Sequence, residues 1–181
     1  GPLGQNRGDA AASVRELASQ SRVIVMAVYN GAQVEALLDD LQASSARPAL
    51  ICTTTCAPDE ILRIAMRAEE ARFALVEAPI SGTSAEVRDG TATMLVAGEA
   101  NAIGTLLDIL CPRRTHVGKI GDAARTKLAI NLILQNNRAA LAEGIVLAER
   151  LGLDGQTFLA NARESAAYSR VMDTKGEKML R

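Results

Sequence analysis

The chain has 181 residues, of which 48% are hydrophobic, 23% charged and 2% aromatic, and its formal net charge at pH 7 is −1. This composition fits one globular domain or a little more and excludes a disordered chain; with so few aromatics the core must be built from Ala, Leu, Ile and Val. Acid and base are mixed along the chain, so no basic stripe supports nucleic-acid binding, and no apolar run reaches the roughly 20 residues of a membrane span.

Gly1-Pro2-Leu3-Gly4 reads as the remnant of a cleaved fusion tag and is set apart from the fold. Ala10 to Ser19 has a helical pattern, with Ser13 as N-cap and Glu16 completing a capping box. Arg22 to Tyr29, "RVIVMAVY", is a continuous β-rich apolar run, which predicts a strand covered on both faces. An amphipathic helix over Ala32 to Gln42 and a second strand over Ala49 to Thr53 follow. Pro58 then suits the first turn of a helix, with Asp59 and Glu60 favouring its positive end.

Phe73 to Glu77 reads as a third strand and Thr91 to Ala97 as a fourth, with Pro79-Ile80-Ser81-Gly82 as a loop between them. A helix over Ala100 to Leu110 and a short strand at Thr115-His116-Val117 complete this part. Alternation of strands with helices predicts βαβ units and a largely parallel sheet. Ligands of such sheets sit beyond the carboxyl ends of the strands. Those ends are Ala27-Val28-Tyr29, Thr53-Thr54-Thr55 and Pro79 to Gly82, all expected on one edge.

After Gly121 the pattern changes. Asp122 to about Leu151 is helix-forming sequence without proline, and Asp154 to Ala167 reads as another helix. The expected organisation is therefore residues 5–118 as an α/β part and residues 119–181 as the start of an α-helical domain. Gly118 and Gly121 in "GKIGDA" lack the spacing of a nucleotide loop, and Asp122 would repel a pyrophosphate; a turn that starts the long helix accounts for them better.

Cys52, Cys56 and Cys111 lack zinc-knuckle spacing, and the single histidine, His116, has no thiol or acidic neighbour in sequence. No metal site is expected. The cysteines read as small core residues in a reducing compartment, and with no signal-peptide pattern at its start the chain is expected to be cytoplasmic.

On the long helix, Lys127, Asn131 and Gln135 fall at i, i+4 and i+8 and share a face, among the apolar Leu128, Ile130, Leu132, Ile133 and Leu134. From spacing alone a solvated polar stripe is the commoner account. A partly desolvated lysine is the sharper one, because desolvation lowers a lysine's pKa towards acid/base use.

Three stretches in order, "EAPISGTSAEVRDGTATMLVAG", "HVGKIGDAARTKLAINL" and "ALAEGIVLAERLGLD", resemble the β-hydroxyacid dehydrogenase family, which includes 3-hydroxyisobutyrate dehydrogenase. The resemblance runs from about Gly8 to the end. It implies a Rossmann-type, doubly wound α/β part, so that residues 5–118 would be a partial dinucleotide-binding domain. It further implies NAD or NADP as cofactor and a small hydroxyacid or the matching semialdehyde as substrate. The family's substrate loop, Asp-Ala-Pro-Val-Ser-Gly-Gly, corresponds to Glu77 through Thr83, placing substrate contacts on Ser81, Gly82 and Thr83. Its catalytic lysine and supporting asparagine fall on Lys127 and Asn131, with Ala123 replacing the third glycine of that motif. Cofactor-contacting strand ends map to Ala27 and Val28, where the family has Leu-Pro, and to Thr55.

The family begins with a βαβ unit bearing the Gly-rich loop and continues through further helices, and this chain is expected to be the middle of such an enzyme. Weak or absent dinucleotide binding, no activity by the fragment alone, and a homo-oligomer are therefore expected. The competing reading, drawn from the Leu-Pro and Asp/Gly departures, is a non-catalytic dehydrogenase-like scaffold or oligomerisation module.

Overall fold

The computed structural model describes residues 9–180; the tag reading at residues 1–4 and the start of the α/β part at residue 5 lie outside them. The chain divides into two compact units, one ending at Lys127 and the other beginning at Leu128.

The first unit opens with α1 (Val14–Gln20), capped by Ser13, whose hydroxyl accepts the Glu16 N–H at 3.1 Å. The helix starts later than the pattern from Ala10 suggests. The returning bond of the capping box lands on the Ala12 N–H instead of the N-cap, because Glu16 reaches one residue further back. Then come β1 (Val23–Met26), α2 (Gly31–Gln42), β2 (Ala49–Cys52), α3 (Pro58–Glu70) and β3 (Leu75–Glu77). Strands β1, β2 and β3 are parallel neighbours, with Val25 beside Ile51 and Ile51 beside Val76. Pro58 occupies the first turn of α3, where its missing N–H costs nothing.

Two expectations are corrected here. β1 is the edge of the sheet: Ile24 and Met26 pack under α2 and α3, but Val25 on the other face is 38% exposed. Its unbroken apolar run could not reveal which face a helix covers. The segment after Ala78 is not a loop. β4 (Ile80–Ser81) continues the line of β3 past Ala78 and Pro79, and both lie antiparallel to β5 (Thr93–Ala97) in one register, Glu77 facing Ala97, Ile80 facing Met94 and Ser81 facing Thr93. The short α4 (Ser84–Arg88) and the turn at Asp89–Gly90 reverse the chain between them. The sheet is therefore mixed. β6 (Arg114–Gly118) runs parallel to β5 on its other side.

A short 3₁₀ turn (Asn101–Ile103) leads into α5 (Gly104–Leu110). Alternation along the strands divides the core in two. Leu50, Cys52 and Leu75 join Val34, Leu38, Ile61 and Ile64 on the α2/α3 side, while Ile51, Val76, Met94 and Val96 meet Leu107 of α5 on the other. Cys52, Cys56 and Cys111 are all buried free thiols. His116 stands in β6, with Nε2 2.9 Å from the Gly98 carbonyl.

The long helix α6 (Asp122–Arg150) starts in the first unit and continues into the second. In that second unit Leu141 and Ile145 pack with Leu159 of α7 (Gly155–Arg163) and with Val171 and Met172. A π-helical turn (Met172–Gly176) and α8 (Glu177–Met179) complete it. Among the described residues no helix is long and apolar enough to cross a membrane.

Candidate active site

Lys127 is the polar focus of the first unit. Only 8% of it is exposed, yet its Nζ donates to the Ile80 carbonyl at 2.6 Å and to Ser81 Oγ at 3.2 Å. Both acceptors belong to β4, so the two-residue strand is the seat of the ammonium. Burial pushes the Lys127 pKa below the ordinary lysine value, and no neighbouring charge contributes. The source of desolvation differs from the sequence expectation. Leu128, Ile130, Leu132 and Ile133 are each more than 40% exposed, so the helix's own apolar residues do not shield the lysine; its packing against β4 does.

The Ser81 hydroxyl is the side-chain group that Lys127 touches, and Gly82 follows it at the end of the hairpin arm. Gly82 has φ of +153°, and a Cβ there would stand 2.8 Å from the Ala92 Cβ across the hairpin. Only glycine fits without opening the arm. Thr83 is engaged locally: its hydroxyl accepts the Glu86 N–H at 3.2 Å and its own N–H donates to Glu86 Oε2 at 2.7 Å, which caps α4. Asn131 lies one turn beyond Lys127 on α6, half-exposed, in the second unit.

The three strand-end residues gather around a side chain the sequence did not single out. The Thr54 hydroxyl, buried, accepts the Val28 N–H at 3.0 Å and stands 3.3 and 3.1 Å from the Met26 and Val28 carbonyls. It ties the end of β1 to the end of β2. Val28 is thereby fixed, while Ala27 and Thr55 on either side are exposed.

A second unforeseen residue is Glu77. It is 2% exposed, and its two carboxylate oxygens accept the N–H groups of Gly121 at 2.7 Å and Ala124 at 2.6 Å, at the start of α6. Burial pushes its pKa above the usual carboxylate range, and the amide hydrogen bonds pull it part of the way back. More than forty residues separate it from these partners in sequence, so no periodicity could have paired them.

The strand-end residues Ala27 and Thr55 are open to solvent, so the fit of a dinucleotide there turns on what is free to meet its pyrophosphate. Such groups bind at open helix N-termini. Here Asn30 Oδ1 takes the Gln33 N–H at the start of α2 and Glu77 closes α6, while at α3 Glu60 Oε2 takes only the Ala57 N–H ahead of the helix, whose first turn has no side-chain cap. The residues present leave the strand ends open to the cofactor and close the starts of α2 and α6 to its phosphates.

The chain matches known family models over two consecutive stretches. Residues 2–120 match the NAD binding domain of 6-phosphogluconate dehydrogenase, and residues 121–181 match the NAD-binding domain of NADP-dependent 3-hydroxyisobutyrate dehydrogenase. The chain is 30% identical over 173 residues to 2-(hydroxymethyl)glutarate dehydrogenase of Eubacterium barkeri, spanning 92% of this chain and 58% of that protein. It is 31% identical over 154 residues to the mitochondrial 3-hydroxyisobutyrate dehydrogenase of Drosophila melanogaster, spanning 81% of this chain and 47% of that one. The chain thus spans about half to three-fifths of the length of these relatives. In fold it is similar to Mycobacterium tuberculosis 3-hydroxyisobutyrate dehydrogenase (TM-score 0.79, 24% identity, 88% of this chain and 56% of that one) and to the Salmonella typhimurium 3-hydroxyisobutyrate dehydrogenase (TM-score 0.83, 22% identity, 93% and 61%). The cofactor class of the matched domains is a nicotinamide dinucleotide, NAD or NADP. With the models meeting where α6 begins and together running from residue 2 to residue 181, the chain belongs to the β-hydroxyacid dehydrogenase family.

Proposed function

We propose that this chain carries the proton-transfer part of an NAD(P)-dependent oxidoreductase that oxidises a small hydroxyacid or reduces the matching semialdehyde. The observation that carries the reading is Lys127: an ammonium buried without a carboxylate partner among the described residues, held on a backbone carbonyl and a serine hydroxyl. Such a lysine gives up its proton more readily than an ordinary one and can take the substrate's hydroxyl proton in return. A bound nicotinamide supplies the hydride acceptor. Ser81 Oγ and the backbone at Gly82 hold the substrate beside Nζ, Thr83 contributes to that loop through its cap on α4, and Asn131 orients the substrate or the lysine from the next helical turn. Ala27, Val28 and Thr55 form the cofactor-facing edge. The names of the relatives, which describe a hydroxymethyl dicarboxylate and a β-hydroxyacid as substrates, support the substrate class.

The test is a panel of small hydroxyacids offered with NAD⁺ or NADP⁺ to an active protein carrying this segment. The expected result is formation of reduced dinucleotide with a pH–rate profile set by a base titrating below free lysine; turnover without such a limb, or none with any hydroxyacid, would refute the reading. Calorimetric titration of this chain with either dinucleotide should show weak binding, because the starts of α2 and α6 are already occupied by Asn30 and Glu77. A low-micromolar dissociation constant would contradict that.

A homo-oligomer is part of the same reading. Leu128, Leu132, Ile133, Val146 and Leu147 are exposed apolar side chains on α6, a surface suited to pairing with a copy. Light scattering at the monomer mass over a wide concentration range would rule it out. The three free thiols support a reducing, cytoplasmic setting, which cell fractionation would check.

A further inference from the structure

We propose that Glu77 is the positioning residue for Lys127, fixing the first turn of α6 so that the ammonium lands on β4; this rests on the reading of Lys127 as proton carrier. Two contacts join the same pair of segments at the same offset. Glu77 holds Ala124, and three residues further along each segment Ile80 holds Lys127. The first contact is a carboxylate on helix amides and the second an ammonium on a strand carbonyl. Each satisfies buried charge with backbone groups, so the acid and the base stand in neighbouring places without neutralising each other.

The cap of α6 comes from the sheet and not from the local chain: Asp122 Oδ2 accepts the Lys119 N–H at 3.0 Å, a group ahead of the helix, and the Gly121 and Ala124 amides go to Glu77. Burying a carboxylate to the 2% level, with no cation beside it among the described residues, is costly where an exposed side chain of the local chain could cap the helix as well. What it adds is placement. Glu77 is the last residue of β3, rigidly laddered to Cys52 on one side and Ala97 on the other. Its bonds to Gly121 and Ala124 transfer that rigidity to the helix at the turn from which Lys127 projects. Gly121 has φ of +94°, which suits glycine at the point where the chain turns to present its N–H to the carboxylate.

The experiment follows the Lys127 side chain in isotope-labelled protein by NMR, without substrate or dinucleotide, with Lys127→Met identifying its resonances. In the native chain Lys127 titrates below the ordinary lysine value. In Glu77→Gln one carboxylate oxygen is replaced by an amide NH₂ that faces an N–H donor, the first turn of α6 loosens, and water reaches Nζ. The Lys127 midpoint should move up towards that of free lysine, and exchange of the Gly121 and Ala124 amides should quicken. Glu77→Asp keeps the charge but falls one methylene short; it should shift the midpoint in the same direction and by less, and it serves as the test if the Gln variant does not fold. A folded variant in which Lys127 titrates as in the native chain overturns the proposal. That outcome leaves the proton-carrier reading standing. An active enzyme that keeps its turnover after Lys127→Ala sinks that reading, while the NMR midpoints alone decide whether Glu77 places the lysine. In an active enzyme that does lose its turnover after Lys127→Ala, Glu77→Gln should lower kcat roughly ten- to hundredfold with KM little changed, as expected of a misplaced acid/base group.

Discussion

The ends of β1 and β2 and the ends of β3 and β4 lie along one sheet, yet they meet the same demand in opposite ways. At β1 and β2 the buried polar atoms are neutral and satisfy one another, the Thr54 hydroxyl joining Met26 and Val28. At β3 and β4 the buried groups are charged, and each is held only by backbone amides, a carbonyl or a hydroxyl. A neutral clamp makes a stiff surface against which a ligand can lie. Unpaired buried charges are expensive, and they persist where a proton has to move. The difference fits the proposed roles, shape for the first region and proton transfer for the second.

The largest effect should come from the charged side. Lys127→Ala in an active protein carrying this segment should lower kcat and kcat/KM together by about a hundred- to ten-thousand-fold, the usual loss on removing a general acid/base. Steady-state kinetics decide it, and retention of more than a tenth of kcat would erase the contrast. Thr54→Val should do the reverse. It preserves shape but leaves the Val28 N–H without its partner, which costs about 1–3 kcal/mol of stability. Denaturant unfolding should register that loss while the pH–rate profile stays in place; a profile that moves with Thr54 would show that the two regions are not separable.

The smallest effect is on stability against pH. Lys127 has a lowered pKa in the fold, so between that value and the unfolded lysine's, about 10.4, the unfolded chain binds more protons. The native chain should therefore gain stability as pH rises through that alkaline window, and the slope should flatten in Lys127→Met. Urea unfolding at several alkaline pH values measures it. Equal slopes in the two proteins would mean the lysine is as well solvated in the fold as out of it.

Much of this arrangement is legible in the residues. The proline and acids at the start of α3, the unbroken helix-forming run of α6 and the ordered motifs around Ser81 and Lys127 each carry a local signal. The antiparallel course of β5 does not, because β4 has only two residues and no periodicity, and the reversal through α4 lies in a stretch that reads as loop. Glu77 and Thr54 are illegible for another reason. An acid at a strand end or a threonine in a run of threonines is ordinary, and each takes its meaning from partners distant in the chain. The exposed apolar residues of α6 misled in the same way, since adjacency in sequence suggested shielding that β4 provides instead.

The hairpin formed by β3, β4 and β5 also bears on how this protein tolerates changes of length. Glu77, Ile80 and Ser81 hold their places by pairing with Ala97, Met94 and Thr93, and the chain between the arms is the short α4 and the turn at Asp89–Gly90. Gly90 is a surface turn with only the Pro112 ring near it. Residues inserted there extend the tip and leave every pairing below it in register. One residue inserted between Glu77 and Ile80, or between Ala124 and Lys127, would rotate one contact out of step with the other. Size variation in this part of the molecule is therefore confined to the hairpin tip, and the six-residue stretch from Glu77 to Gly82 is the part whose length cannot drift.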